Sequence, residues 1–226
     1  MKKIIRVWDL PIRLFHWTLV ICIVTSFITV NIGGNAMEWH ALSGYCILTL
    51  IIFRICWGLL GSHHARFINF VPSPKELYQY LTGKPSAKLG HNPLGSLSVL
   101  AFILAIGVQA VTGLFANDQI AFEGPFAKYV SNSTVELLTS IHYFNKWVLL
   151  GLITLHISAI LYYQKVKGEN LVKPMLLGDK EIDPSKETRY LPADLDQDSK
   201  DGGLQRSYAA GLLCLIALTL AYFVSK

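Results

Sequence analysis

Apolar residues in this chain fall into five long blocks, instead of the alternating or one-sided patterns of water-soluble strands and helices. The blocks run from about residue 14 to 32, 39 to 60, 94 to 116, 141 to 163 and 209 to 224. Each block is close to the ~20 residues that a helix needs to cross the hydrocarbon of a bilayer. The pattern therefore predicts an all-α integral membrane fold with five membrane-spanning helices.

Polar segments divide these helices into two groups. Residues 1–178 are interpreted as a four-helix domain. Residues 179–207 are interpreted as a polar cytoplasmic linker, because they are rich in charge and interrupted by Pro and Gly. Residues 208–226 hold the fifth helix, which has no His, Asp, Glu, Lys or Arg between residues 209 and 224. We therefore expect this helix to pack, dimerise or anchor.

The basic residues indicate the orientation of the chain. Of its 226 residues 52% are hydrophobic and 15% charged, and the net charge of +5 would suggest nucleic acid only in a soluble protein, so no nucleic-acid partner is expected. Lys and Arg occur before the first helix, between the second and third, and after the fourth, whereas residues 117–140 contain Lys128 alone. The positive-inside rule therefore predicts a multi-pass membrane protein with a cytoplasmic N-terminus, which in a Gram-negative bacterium lies in the inner membrane.

Four histidines lie within or at the edges of the predicted helices, where an ionisable side chain is costly unless it is paired or ligated. They are His16 in the first helix, His40 in the second, and His142 and His156 in the fourth. With a cytoplasmic N-terminus, His16 and His156 lie toward the cytoplasm, and His40 and His142 lie toward the periplasm. The four therefore form two pairs, one at each level of the membrane.

The spacing on the fourth helix favours two stacked haem groups. His142 and His156 are 14 residues apart, so they leave the helix within roughly 40° of each other and about 21 Å apart, with Leu149 between them. Two axial histidines per iron favour electron transfer over oxygen binding. The four cysteines are dispersed and form no C-x-x-C-H motif. The predicted cofactors are therefore two non-covalent haem b groups.

Basic and small residues accompany these histidines. Arg54 follows His40 by 14 residues and is predicted to contact a propionate of the cytoplasmic haem. Lys146, one turn after His142, is assigned the same role at the periplasmic haem, with snorkelling to lipid headgroups as an equal alternative. Gly44 removes bulk where a macrocycle would approach the helix, unless it serves ordinary helix packing. The remaining histidines are interpreted as loop residues with surface or headgroup contacts: His63, His64 and His91.

Five segments of the chain carry a resemblance to a known family. They are VWDLPIRLFHW, EWHALSGY, RICWGLLGSHHARF, LGHNPLGSL and IHYFNKWVLLGLITLHISAILYY, within about residues 4–178. They resemble the bacterial cytochrome b-561 family, which includes the membrane cytochrome b subunits of nickel-iron hydrogenases. The resemblance implies that the four intramembrane histidines are haem ligands. It also implies electron transfer, in a respiratory chain, between membrane quinone and a redox partner.

The resemblance leaves two kinds of partner open, a periplasmic c-type cytochrome and a hydrogenase. The loop motifs look more like those of stand-alone or cytochrome c-coupled members. A basic c-type partner would suit the acidic connector at residues 117–140, where we expect Glu123 and Glu136 to assist docking.

Two other functions use intramembrane histidines. The family includes a type that oxidises superoxide and reduces quinone with the same two haems, although Lys128 and Lys146 are the only basic residues on the periplasmic side to attract the anion. A metal-ion transporter would gather carboxylates or thiolates with histidine near the membrane midplane. Here the histidines lie at two levels, so electron transfer remains the predicted function, whether in an electron carrier or an oxidoreductase subunit.

Overall fold

The protein is described by a computed structural model that covers residues 3–84, 88–120, 122–182, 199 and 201–225. Among these residues, five helices are long and apolar enough to cross a membrane: α1 (Leu10–Ile32), α2 (Ala36–Leu60), α5 (Pro93–Gly113), α6 (Asn132–Lys165) and α8 (Gly203–Val224). The prediction of five spans is confirmed. Helix α2 is the most enclosed of them, because half of its most apolar segment is buried, against 6–17% for the others.

Shorter elements lie in the connections. They are β1 (Lys3–Arg6), α3 (Phe67–Phe70), α4 (Pro74–Leu81), α7 (Val172–Leu177), β2 (Asp179–Ile182) and two single turns of 3₁₀ helix at His63–Ala65 and Ala127–Tyr129. The apolar blocks did not predict the strands. Each strand has four residues, which is too short for an alternating pattern to stand out.

The ends of α1 follow local chemistry. Asp9 caps its start, because the carboxylate accepts a hydrogen bond from the Ile12 N–H at 2.8 Å. The other oxygen of Asp9 accepts from the indole N–H of Trp57 at 3.0 Å. At the far end, Gly33 and Gly34 have φ of +69° and +53°, which suits glycine at a helix terminus. The chain can therefore turn directly into α2.

The backbone forms two units, of which the first contains Met1–Leu14, Arg54–Ala101 and Thr154–Ala209. In this unit β1 pairs antiparallel with β2, with Lys3 opposite Ile182. The side chains of Ile5, Leu89 and Ile182 form a small buried core. The first four residues of the predicted linker are therefore part of a sheet, while residues 183–198 and 200 of that linker lie outside the described residues.

Asp201 joins the end of the linker to the N-terminal segment. Its side chain is 5% exposed and forms ion pairs with Arg6 at 2.8 Å and Arg206 at 2.9 Å. Ser199 adds two hydrogen bonds of 2.7 Å to main-chain oxygens, one from its N–H to Arg6 and one from its hydroxyl to Val7. Burial acts to raise the pKa of Asp201, but hydrogen bonds from the two arginines and a backbone N–H hold it below its ordinary value.

The second unit contains Phe15–Phe53, Phe102–Ile153 and Ala210–Lys226. Its core is formed by buried apolar side chains from four helices: Leu19, Ile47, Leu50, Ile51, Ala105, Ile106 and Leu149. In lipid these contacts stabilise through van der Waals packing, because lipid tails are themselves apolar. Leu149, predicted to lie between two haem levels, is 5% exposed in this core.

Candidate functional site

His40 lies near the start of α2, and its ring is held by α1. Its Nδ1 atom is 3.0 Å from the carbonyl oxygen of Ser26. Because a carbonyl oxygen can only accept, Nδ1 carries the proton and Nε2 keeps a free electron pair. The hydroxyls of Ser26 and Ser43 lie 2.6 Å apart and also connect the two helices. His40 is therefore fixed in the tautomer that can bind a metal through Nε2.

His142 is held by α5 in the same tautomer. Its Nδ1 lies 2.9 Å from the carbonyl oxygen of Gln109, so Nδ1 again donates and Nε2 accepts. The ring lies close against α5, since a Cβ atom added at Gly113 would be only 3.0 Å from the ring carbon Cε1. Glycine at position 113 therefore leaves the space that this imidazole occupies.

The structure brings His40 and His142 together within the second unit. Their ring centroids are 6.3 Å apart and the ring planes are inclined at 81°. Both residues are half-buried. Two imidazoles on neighbouring helices, each with its Nδ1–H on a backbone carbonyl, form the arrangement that orients histidine ligands in metal sites.

The other two histidines are placed separately. His16 belongs to the second unit, where its ring packs edge-on against Trp17 at a centroid distance of 5.0 Å. His156 belongs to the first unit. Helix α6 is continuous, so His142 and His156 keep their spacing along a single helix. The pairing of His16 with His156 stays a prediction.

Arg54 is buried in the first unit, with 4% of its surface exposed. Its guanidinium carbon lies 5.0 Å from the ring centroid of Phe67 and 5.7 Å from that of Phe70. Among the described residues, its Nη1 atom has no hydrogen-bond partner. A buried cation with an unfilled N–H is costly unless an anion accepts from it. This atom therefore marks a place for a carboxylate or a similar oxyanion.

Lys146 and Gly44 lie in the second unit. The ammonium nitrogen of Lys146 is 5.1 Å from the ring centroid of Trp147, so the assigned propionate contact stays a prediction. A Cβ atom added at Gly44 would meet no atom of the described residues within 4 Å. The space beside α2, one turn after His40, is therefore open to a flat ligand.

The interpretation of the loop histidines as surface residues is wrong for His64 and His91. His64 is 6% exposed. The ring of His91 lies between Trp8, at a centroid distance of 4.7 Å, and Phe70, at 5.0 Å. Trp8 and Phe70 come from other parts of the sequence, so no local sequence signal specifies the contacts of His91.

His91 is held uncharged. Burial, followed by the positive charges of Arg54, His64 and His156, lowers the pKa of His91 to about 3. Its Nδ1 atom is buried and has no hydrogen-bond partner among the described residues. The ring is therefore neutral at physiological pH.

A pair of amide side chains was not predicted. Asn145 is 8% exposed, and its Nδ2 atom donates at 2.8 Å both to the side-chain oxygen of Gln109 and to the carbonyl of Ala105. Gln109 in turn contacts His142. The available signal was the presence of two amides inside apolar spans, where polar groups need partners.

Comparison with known proteins gives this geometry a context. The family model for prokaryotic cytochrome b561 matches residues 7–178, which include all four intramembrane histidines. The chain belongs to the prokaryotic cytochrome b561 family. The predicted family is thereby confirmed, and this cytochrome b561 is a multi-pass membrane protein of the b-type cytochromes, which transfer electrons and hold haem b.

Its curated relatives have low sequence identity to this chain but align with it over most of their length. A probable Ni/Fe-hydrogenase B-type cytochrome subunit from Azotobacter chroococcum is 25% identical over 77% of this chain and 87% of its own length. The protein with the same description from Cupriavidus necator is 23% identical over 78% of this chain and 86% of its own. A probable Ni/Fe-hydrogenase 1 B-type cytochrome subunit from Escherichia coli K12 is 21% identical over 76% and 88%.

The residues of this cytochrome b561 fit a haem group. A metal–imidazole bond is about 2 Å long, so two imidazoles on opposite sides of one iron place their ring centroids roughly 6 Å apart. The rings of His40 and His142 are at 6.3 Å. The open space at Gly44, in the same unit as these rings, fits a macrocycle. In the first unit, taken by itself, the unfilled N–H of Arg54 fits a carboxylate.

Proposed function

We propose that this cytochrome b561 carries two haem b groups and transfers electrons between the quinone pool and a redox partner in a respiratory chain. One observation carries the proposal: the ring centroids of His40 and His142 are 6.3 Å apart, and a backbone carbonyl fixes each ring in the tautomer whose Nε2 carries no proton. The haems supply one-electron redox centres when bound. His40 and His142 hold one of them, and His16 and His156 hold the other.

Arg54 and Lys146 are proposed as propionate partners. The support for Arg54 is its burial together with the unfilled Nη1, because a carboxylate could accept the hydrogen bond that this buried N–H lacks. Its position in the same unit as His156 supports the proposal that it serves the haem held by His156. Lys146 is one turn from His142 and half-buried, which suits the other haem.

The orientation proposed from the basic residues places the N-terminus in the cytoplasm of a bacterium with an inner membrane. The His40/His142 pair then lies toward the periplasm and the His16/His156 pair toward the cytoplasm. Electrons cross most of the bilayer between the two levels without leaving the protein.

Two redox partners are supported by different observations. The names of the relatives favour a hydrogenase, since they describe B-type cytochrome subunits of Ni/Fe-hydrogenases. Glu123 and Glu136 are exposed in the second unit, which also keeps a basic c-type cytochrome as a partner. The relatives do not favour superoxide oxidation. Within the described residues, no three His, Cys, Asp or Glu side chains are placed to hold a metal ion, so a metal-transport site is not supported there.

The test is a dithionite-reduced minus air-oxidised visible spectrum of the purified protein, together with extraction and counting of haem. We expect two b-type haems per chain, of which His142→Ala loses one and His156→Ala loses the other. His63→Ala is the matched control, because His63 is a half-buried loop residue that bonds to Asn69. A wild-type protein without haem, or with one haem that both variants retain, would overturn the proposal.

The quinone link needs its own measurement. We expect reduced short-chain quinol to reduce the wild-type haems anaerobically, and both single-ligand variants to pass electrons to an added acceptor at least tenfold more slowly. Full reduction of wild type by dithionite but none by quinol would remove the quinone from the proposal and leave the haems in place.

A further inference from the structure

Gln109 contacts His142 through both its main chain and its side chain. Its carbonyl oxygen is 2.9 Å from Nδ1 of the imidazole. Its side-chain nitrogen is 3.1 Å from Nε2 of the same ring and 3.1 Å from the carbonyl oxygen of His142. One residue of α5 therefore fixes both nitrogens of a histidine on α6.

The direction of these hydrogen bonds is set by backbone carbonyls at both ends. The carbonyl of Ala105 can only accept, so the nitrogen of the Asn145 amide points to it, at 2.8 Å. That nitrogen also donates to the side-chain oxygen of Gln109 at 2.8 Å. The nitrogen of the Gln109 amide is then the atom that faces His142, and it donates to Nε2. This requires the proton of the imidazole to lie on Nδ1, which the Gln109 carbonyl requires independently.

The position of this network on α5 and α6 is constrained as well. Asn145 is 8% exposed and Thr112, whose hydroxyl lies 3.3 Å from Nδ1 of His142, is 5% exposed. Buried polar groups of this kind are costly unless every hydrogen bond is made. A shift of either helix would break several bonds at once, so the network holds the imidazole in one place.

From this geometry we infer that Gln109 and Asn145 are positioning residues for the histidine ligand His142. Asn145 holds the Gln109 amide, and the Gln109 carbonyl holds the imidazole in the ligating tautomer. The Gln109 side chain donates to Nε2, the atom that would bind iron. This inference rests on the proposed ligation of haem by His142. It goes further because it proposes that two residues within the membrane spans influence the reduction potential of one of the two haems.

The expected consequence is a change in one reduction potential. A hydrogen bond from Nδ1–H to a carbonyl makes the imidazole a more basic ligand, and partners of this kind typically change metal affinity 10- to 100-fold. Ferric iron gains more than ferrous iron from a basic ligand. Removing either amide leaves the Gln109 carbonyl in place, so it acts by letting the ring of His142 move away from that carbonyl. If the lower figure applies to the ferric state alone, this raises the potential of that haem by about 59 mV, since this corresponds to a tenfold change for a one-electron couple.

The experiment is a redox titration of both haems in three variants of the full chain. Asn145→Leu removes the donor with little change of shape, and Gln109→Met removes the amide at similar length. Thr49→Val is the matched control, because Thr49 is also buried in the second unit and its hydroxyl donates to the carbonyl of Tyr45 on its own helix. The haem that His142→Ala removes is the one concerned, and the second haem in each molecule is an internal reference.

We expect Asn145→Leu and Gln109→Met to raise the potential of the His142 haem, or to lose that haem selectively, while the second haem and both haems of Thr49→Val stay as in wild type. Unchanged potentials in both variants would overturn the inference. Equal loss of both haems would overturn it too, because it would mean that the amides only hold the helices together. If the wild type has no haem that His142→Ala removes, the proposed function itself fails.

Discussion

Replacing Gly113 with alanine should push His142 away from α5 and weaken its binding of haem. The added Cβ would lie 3.0 Å from Cε1 and 3.3 Å from Nδ1 of the imidazole. Comfortable contacts between carbon atoms are about 3.5–4.0 Å, so the ring must retreat by roughly 0.5 Å. The hydrogen bond from Nδ1 to the Gln109 carbonyl, now 2.9 Å, then approaches the limit at which such bonds weaken.

Two costs follow from this displacement. Overpacking lowers the free energy of unfolding by about 1–3 kcal/mol, with or without haem. The weakened hydrogen bond lowers the free energy of haem binding at this site by about 1 kcal/mol. That second cost corresponds to roughly fivefold weaker haem binding at this site.

The assay is the rate at which each haem passes to an excess of an apo-globin, followed by the visible spectrum. Gly107→Ala is the matched control on the same helix, because its added Cβ would make an ordinary contact of 3.9 Å with Ile51. We expect faster loss of one haem from Gly113→Ala only. Wild-type loss rates in Gly113→Ala would refute the close approach of His142 to α5.

Three further changes test other parts of the molecule. Because the pKa of Asp201 is held below its ordinary value, its ion pairs stabilise the fold above about pH 4 and lose this effect as the pH falls further; Asp201→Asn should abolish that acid dependence of amide exchange in β1. The double variant Glu123→Gln, Glu136→Gln should slow association with a basic c-type cytochrome at low salt and not at high salt; equal rates would exclude docking there. Tyr163→Phe removes the hydroxyl that accepts from Asn92 at 2.7 Å, and the unsatisfied amide should cost about 1–3 kcal/mol, seen as a lower unfolding temperature in detergent.

The membrane spans could be predicted because a bilayer imposes a simple constraint on helices. A span needs a long apolar segment whose backbone is satisfied internally, and hydropathy alone reveals such segments. The start of α6 was less predictable: it begins at Asn132, before the apolar block, because Ser131 accepts from the Thr134 N–H in a polar first turn. Polar turns at a helix end do not contribute to an apolar pattern.

The contacts of the first unit could not be predicted in the same way. Lys3 pairs with Ile182 across almost the whole chain, and neither strand has a strong pattern of its own. The burial of His91 depends on Trp8 and Phe70, which come from different parts of the sequence. Such contacts arise from the tertiary fold. A single sequence contains the residues that make them but does not show which residue contacts which.

The role of the two amides near His142 could be predicted only in part. The rule that identified the histidines, that a polar group within a span needs a partner, applies equally to Gln109 and Asn145. A sequence can therefore mark both residues as needing partners, but it cannot show that they are each other's, since this depends on the register of α5 against α6. In the structure Asn145 donates to Gln109 at 2.8 Å, and Gln109 reaches the ring of His142 at 3.1 Å. The amides therefore belong with the histidine when the site is considered, because their hydrogen bonds determine which of its nitrogens is available to iron.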